Sequence, residues 1–244
     1  MTQPKPIKER PILFSAPMVR AILAAGKTQT RRVVKPQPIV GDRTLTMWKY
    51  IKLSESAFAA YGPFEMRKYC PDGKPGDRLW VRESGYIDKR EKRFFAYAAT
   101  MGIFKEATTG DMDETDEPIS KSKLDADGFK SVPSIHMPRW ASRITLEITG
   151  LRVERLNDIS EADAIAEGLS CLSKDDGRTY KYGIPDADGL PGNDNTGWPW
   201  VEWDVSPIAA YRRLWEKING PGSWDANPWV WIVEFRRVDA EAGR

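Results

Sequence analysis

Three blocks of the chain carry clear hydrophobic periodicity. In RITLEITGLRVERL, Ile144, Leu146 and Ile148 alternate with Thr145, Glu147 and Thr149, the period-two pattern of a half-buried strand. Gly150 predicts a bend there, with the strand continuing through Leu151 and Val153. SPIAAYRRLWEKING predicts a helix: Ser206 caps it, Pro207 occupies its first position, and Gly220 lies just past its end. Its apolar positions, Ile208, Tyr211, Leu214, Trp215 and Ile218, recur at helical spacing. PILFSAPMVRAILAAG predicts a short strand over 12–14 and then a helix opened by Ser15, with Pro17 in its first turn and Gly26 as its stop.

Weaker signals fill in the order. The turn PDGKPGD feeds a strand over 78–83, with Leu79 and Val81 on one face. ISEADAIAEGL reads as a compact helix with Ser160 as N-cap, Asp163 at the capping-box position and Gly168 at the end. WVWIVEFRRV closes the chain as a strand. Residues 39–75, 88–135 and 170–205 read as insertions, the second carrying a short hairpin near RFFAYAA. Helices are few and no regular crossovers join the strands. The expectation is a single α+β domain over 1–244, with a strongly bent sheet or small barrel as its core.

Composition narrows the function classes. The 244 residues are 41% hydrophobic and 30% charged, as in a globular protein. No stretch approaches ~20 apolar residues, and the start lacks the apolar run of a signal peptide, so no membrane partner is expected. Cys70, Cys171 and the single histidine, His136, offer neither a disulfide framework nor a metal site, and an intracellular, cytoplasmic location is expected. Walker A, GxGxxG and GxSxG patterns are absent, so no cofactor is expected. Net charge is +2 and the pI about 8.4, below the ~9 of a dedicated nucleic-acid-binding domain. The charge is uneven: residues 1–38 hold eight Lys/Arg against Glu9, while 111–117 is an acidic run.

Three features carry candidate chemistry. The stretch ILAAGKTQTRR leaves a helix through Lys27, Thr28, Gln29, Thr30, Arg31 and Arg32, with no apolar member. It is either a solvated exit or a site. Lys27 and Thr30 would point to opposite faces of an extended strand, and converge only if the chain is still turning at Lys27–Thr28. Glu167 sits in the last helical turn before Gly168, where the macrodipole disfavours an anion, so it is either solvated or paired with a cation. Among ten tryptophans, Trp80 and Trp140 neighbour arginines in LWVRE (with Arg82) and PRWAS, a combination that suits stacking on an unpaired base or packing in a core.

Together these segments resemble the ASCH domain family. ILAAGKTQTRR resembles the family's helix–Gly–Lys-Thr-x-Thr-x-Arg segment, PGDRLWV its Gly-Asp-x-Leu strand start, RITLEITGLRVERLNDISEADAIAEGL its long strand and glutamate-ending helix, and WVWIVEF its closing strand. The likeness covers about half the chain, and the longer layout is similar to ASCH-containing proteins of bacteriophages and prophages. It implies a PUA-like small β-barrel with flanking helices. It also implies hydrolysis of N4-acylated cytosine nucleosides, as in one bacterial branch, without a metal. By motif position the catalytic roles fall on Lys27, Thr30 and Glu167, with Arg31 or Arg32 meeting an oxyanion or phosphate. Trp80, Arg82 and Trp140 would hold the base. The implied partner is a modified nucleoside or single-stranded nucleic acid. The rival expectations are a non-catalytic RNA- or DNA-binding module and a metal-independent ribonuclease.

Overall fold

In a computed structural model of the chain the described residues are 7–35, 37, 39–41, 44–46, 70–90, 94–100, 103–106, 112–114, 121–192 and 197–238. Residues 47–69, and the acidic run apart from 112–114, lie outside them. Among the described residues the strands are β1 (Glu9–Leu13), β2 (Gln29–Val33), β3 (Ile39–Gly41), β4 (Thr44–Thr46), β5 (Arg78–Arg82), β6 (Gly85–Asp88), β7 (Phe94–Tyr97), β8 (Ile103–Glu106), β9 (Met112–Glu114), β10 (Phe129–Val132), β11 (Thr145–Arg155), β12 (Ser170–Ser173), β13 (Tyr180–Gly183) and β14 (Trp229–Val238). The α-helices are α1 (Ala16–Leu23), α2 (Lys121–Ala126), α3 (Glu161–Ala166) and α4 (Pro207–Asn219).

The architecture is α+β. A main sheet runs in the order β1-β5-β11-β14-β2, and a second sheet in the order β10-β6-β7-β8-β9. β1 lies parallel to β5, and the other pairs of the main sheet are antiparallel. The small closed barrel expected from the sequence is not found among the described residues: β1 and β2 remain the two edges. The outer side of the chain entering β2 is occupied instead, by a bridge between Lys27 and Glu167. A side chain spans the gap between the edges, Arg32 Nη2 of β2 donating to the Leu13 carbonyl of β1 at 2.6 Å.

β11 and β14 form the spine of the main sheet, pairing from Thr145↔Val238 to Arg155↔Trp229. The register shifts between Ile148 and Gly150, which moves the buried set from Leu146 and Ile148 to Leu151 and Val153. That one-residue bulge is why apolar positions change parity along the strand. A Cβ at Gly150 would collide with the Glu234 carboxylate of β14, so the glycine lets β14 approach there.

The main core gathers Val19, Leu79, Ile144, Leu146, Ile148, Leu156, Trp215, Val230, Trp231 and Ile232, among others. It also takes Ile184, Trp198 and Trp203, so the 170–205 segment packs into the core although its sequence shows no periodicity. A smaller cluster of Phe95, Tyr97, Met137 and Ala141 underlies the second sheet. The 88–135 stretch, expected to hold a short hairpin, contributes four of that sheet's five strands.

Helix ends follow local chemistry with two departures. Ser206 Oγ accepts from Ala209 N–H and Ser160 Oγ from Asp163 N–H, as N-caps do. Ser15 is the N-cap residue of α1, but its hydroxyl makes no capping bond. The left-handed residue after α1 is Ala25, with φ 57°, not the expected Gly26. After α3, Gly168 adopts φ 101°, and a Cβ there would lie 3.0 Å from Ala21 Cβ and 3.1 Å from Lys27 Cβ. Backbone conformation and close approach both demand glycine at that position. Gly168→Ala should therefore lower the unfolding free energy by about 1–3 kcal/mol, as measured by urea titration.

Candidate functional site

The polar exit from α1 becomes an edge strand. Extended pairing is already established at Lys27–Thr28: Thr28 N–H donates to the Ala166 carbonyl at 3.0 Å, and Phe235 N–H donates to the Thr28 carbonyl at 2.8 Å. Side chains two apart therefore share a face. Lys27, Gln29 and Arg31 all turn toward α3 and the Glu167 that follows it.

Lys27 Nζ donates to the Glu167 backbone carbonyl at 2.6 Å and to Glu167 Oε2 at 3.0 Å. Gln29 Nε2 donates to the Asp163 carbonyl at 2.9 Å. Arg31 Nη1 donates to Glu167 Oε1 at 3.0 Å and Nη2 to Asp163 Oδ2 at 2.9 Å. Both carboxylate oxygens of Glu167 are thus engaged by cations. Of the two states open to an acid at a helix C-terminus, Glu167 is in the paired one, and it is buried, with 3% exposure.

A second layer supports this cluster. Arg152 Nη2 donates to Asp163 Oδ2 at 2.7 Å and Arg152 Nε to Glu154 Oε1 at 2.6 Å, while its Nη1 contacts Glu234. Asp163 therefore holds two arginines. Its capping-box position suggested that its carboxylate turns back to Ser160. Only its backbone N–H does so. The bulge at Gly150 lets Glu234 reach Arg152, which ties the main-sheet spine to the site.

Electrostatics follow burial. Desolvation holds the Lys27 ammonium below its ordinary pKa, opposed by the Glu167 charge and hydrogen bond and aided by the Arg32 and Arg31 charges. Burial, and then the Glu167 charge, push the Tyr211 phenol well above its ordinary value. For Asp163, burial acts upward, but the Arg152 hydrogen bond and the Arg31 and Arg152 charges outweigh it, and the net shift is downward.

These groups line a cleft of about 380 Å³ between the start of α1, β2 and α4. Lys27, Thr30, Arg31, Arg32 and Glu167 are all on its wall. Residues of both strand faces appear there because β2 is an edge and the cleft wraps around it. Thr30 is buried, and among the described residues its hydroxyl bonds to neither Lys27 nor Glu167. The structure thus pairs Lys27 with Glu167 and places Thr30 in the same cleft without a hydrogen bond to either.

The other base-holding residues expected from the sequence lie outside this cleft. Trp80 belongs to β5, three strands away in the sheet order, and is only 8% exposed. Its ring has the Arg82 guanidinium at 4.6 Å and that of Arg139 at 5.6 Å. Trp140 packs edge-on against Phe95 in the smaller cluster. The aromatic walls of the cleft are Phe14, Tyr211 and Trp215. Lys27 Nζ and the Arg32 guanidinium lie 5.7 and 5.6 Å from the Phe14 ring centroid. Tyr211 and Trp215 were legible only as the apolar stripe of α4, and Asp163 only as a cap. Arg152 gave no signal, since its role depends on a bulge.

Among the described residues, no three His, Cys, Asp or Glu side chains gather as a metal-holding group. None of their helices is long and apolar enough to cross a membrane. No protein-family model, curated protein or solved structure matches the chain.

Glu167→Gln leaves Lys27 and Arg31 short of a buried counter-charge and should cost about 3–5 kcal/mol of stability by denaturant unfolding. Adding Lys27→Met to it should recover part of that loss. Because the folded state lowers the pKa of Asp163, its contribution is complete above the ordinary carboxylate range and is lost as pH falls through the folded value. Asp163→Asn should accordingly flatten the acid limb of a stability-versus-pH curve.

Proposed function

We propose that the chain is a metal-independent amidohydrolase acting on N4-acylated cytosine nucleosides or a closely related modified base. We further infer that its bent five-stranded sheet is a PUA-like core, in a protein that works in the cytoplasm. The observation that carries the reading is the buried Lys27 ammonium, held on Glu167 in a cleft that also contains Thr30. The likeness of GKTQTRR and ISEADAIAEGL to the ASCH segments supports the same assignment of roles.

In this mechanism the neutral Lys27 amine acts as general base, and its lowered pKa increases the neutral fraction. The nucleophile is a water positioned by Thr30, or the Thr30 hydroxyl itself. Its oxygen bonds to the acyl carbon as Lys27 takes its proton, and the acyl C–N bond then breaks. The departing N4 amine receives that proton, with Glu167 orienting Lys27 and assisting the transfer. With water as nucleophile, its oxygen and second hydrogen stay on the acyl group, giving a carboxylic acid and cytidine. With Thr30 as nucleophile, an acyl ester forms first, and one water then cleaves it in a second step, releasing the acid and restoring the hydroxyl.

A small substrate is preferred over a polynucleotide for two reasons. The cleft has the size of a small-molecule site. The tryptophans expected to stack on unpaired bases, Trp80 and Trp140, sit outside it.

Incubation with N4-acetylcytidine, followed by chromatography, should release cytidine and acetate. Lys27→Met should lower kcat/KM about 10²–10⁴-fold. In the wild type, kcat/KM should rise with pH as Lys27 loses its proton. Absence of cytidine release across acyl-cytosine substrates and pH would overturn the reading in favour of a binding module.

A further inference from the structure

The mouth of the cleft carries charge that the cluster at its floor leaves uncompensated. Among the described residues four cations line the cleft, Lys27, Arg31, Arg32 and Lys35, against one acid, Glu167, whose oxygens are both taken. Lys27 and Arg31 are neutralised within the cluster. Among the described residues, neither Arg32 nor Lys35 makes an ion pair. The Arg32 charge also acts on the Asp72 carboxyl, whose pKa burial raises and Arg32 opposes.

Position adds to this excess. Arg32 Nη2 is anchored on the Leu13 carbonyl, two residues before Ser15, the N-cap residue of α1. The guanidinium is thereby held beside the N-terminal end of an eight-residue helix. Ser15 lines the cleft and its hydroxyl makes no capping bond. The first N–H groups of a helix lack intrahelical acceptors and carry the positive end of its dipole. A separate observation also calls for an acceptor. Trp215 is 3% exposed and lines the cleft, and its indole N–H has no partner among the described residues. The Nε–H groups of Arg31 and Arg32 are likewise buried without partners. An unpaired buried donor is costly, and an acceptor that reaches it as a ligand enters would remove that cost.

We propose that the mouth of this cleft, between the start of α1 and β2, binds the phosphate of a phosphomonoester, so that a nucleoside monophosphate is preferred over the bare nucleoside. Arg32 and Lys35 supply the charge, and the Ser15 hydroxyl, at the positive end of the α1 dipole, supplies a neutral donor. The base moiety rests on the function proposed above; the phosphate site does not.

Calorimetric titration separates the two. The wild-type chain is titrated with cytidine 5′-monophosphate and with cytidine, and in parallel with ribose 5-phosphate and with ribose. The phosphorylated member of at least one pair should bind about tenfold more tightly or better, and added salt should erode that advantage. Arg32→Gln should remove most of it. Lys35→Gln, at an exposed position, should reduce it even if the arginine variant folds poorly. Equal affinity within both pairs, or no detectable heat with either phosphate ester at millimolar concentration, overturns the proposal. So does an advantage that neither variant changes. Tighter binding of an oligonucleotide lacking terminal phosphates would replace the monoester with a polymer backbone. Hydrolysis enters none of these readouts, so a protein that prefers the phosphorylated ligand and cleaves no acyl-cytosine refutes the amidohydrolase alone.

Discussion

A carboxylate at the C-terminal end of a helix faces the negative end of the helix dipole, and removing it from water adds a desolvation cost. Glu167 is in that position, and the Lys27 ammonium and Arg31 guanidinium offset both terms. The surrounding structure follows from this contact. Lys27 reaches Glu167 only because the chain after α1 enters its strand early, and it does so against a glycine at 168. Arg31 reaches the same carboxylate because it is four residues on, on the same face of β2. The bridge takes the outer edge of β2 and leaves that strand at the border of the main sheet. The cleft forms along that border.

Much of the fold was legible because it rests on local periodicity. β14 and α4 occupy the residues their patterns mark, and the parity change in β11 is written as a glycine between two alternating runs. What failed to show rests on distant partners. β1 begins at Glu9, earlier than its apolar residues suggest, because its ladder with β5 starts at Glu9↔Arg78. The second sheet builds strands from short segments whose apolar faces meet only a small cluster, so their alternation is weak. The 170–205 segment contributes Trp198 and Trp203 to the main core from irregular chain, where no period exists to be read.

The site was half legible, for a related reason. A charge placed where the helix dipole opposes it is a local anomaly, and Glu167 stood out on that ground. Pairing with a cation was one of the two states open to it, and Lys27 is one of the cations it meets. Spacing alone pointed away from a Lys27–Thr30 pair, since residues three apart diverge on a strand. Thr30 bears out the geometry behind that caution: it shares the cleft because β2 is an edge, not because the chain is still turning. Arg152 and Asp163 could not be foreseen together, since their contact needs the β11 bulge, the β14 register and the α3 cap at once. The tryptophans chosen for their arginine neighbours mislead for a physical reason. An arginine beside a tryptophan in sequence can stack on that ring itself, and Arg82 does so on Trp80.

Burying two cations and a carboxylate, with a second carboxylate half-buried beside them, is a costly way to join a strand to a helix, because apolar side chains of the same volume would commonly hold them at least as well. The cluster therefore calls for a reason other than adhesion. Its geometry supplies one. Arg31, fixed by Glu167 and Asp163, holds Glu167 from one side and leaves its other oxygen for Lys27. Arg152 in turn fixes Asp163 through contacts reaching Glu154 and Glu234. Each side chain is restrained by the next, so the Lys27 amine ends the chain of contacts at a defined place on the cleft wall. An apolar joint would match the adhesion and lose that placement. Precise positioning of one titratable amine, in surroundings that weaken its hold on a proton, is the property the arrangement delivers beyond stability.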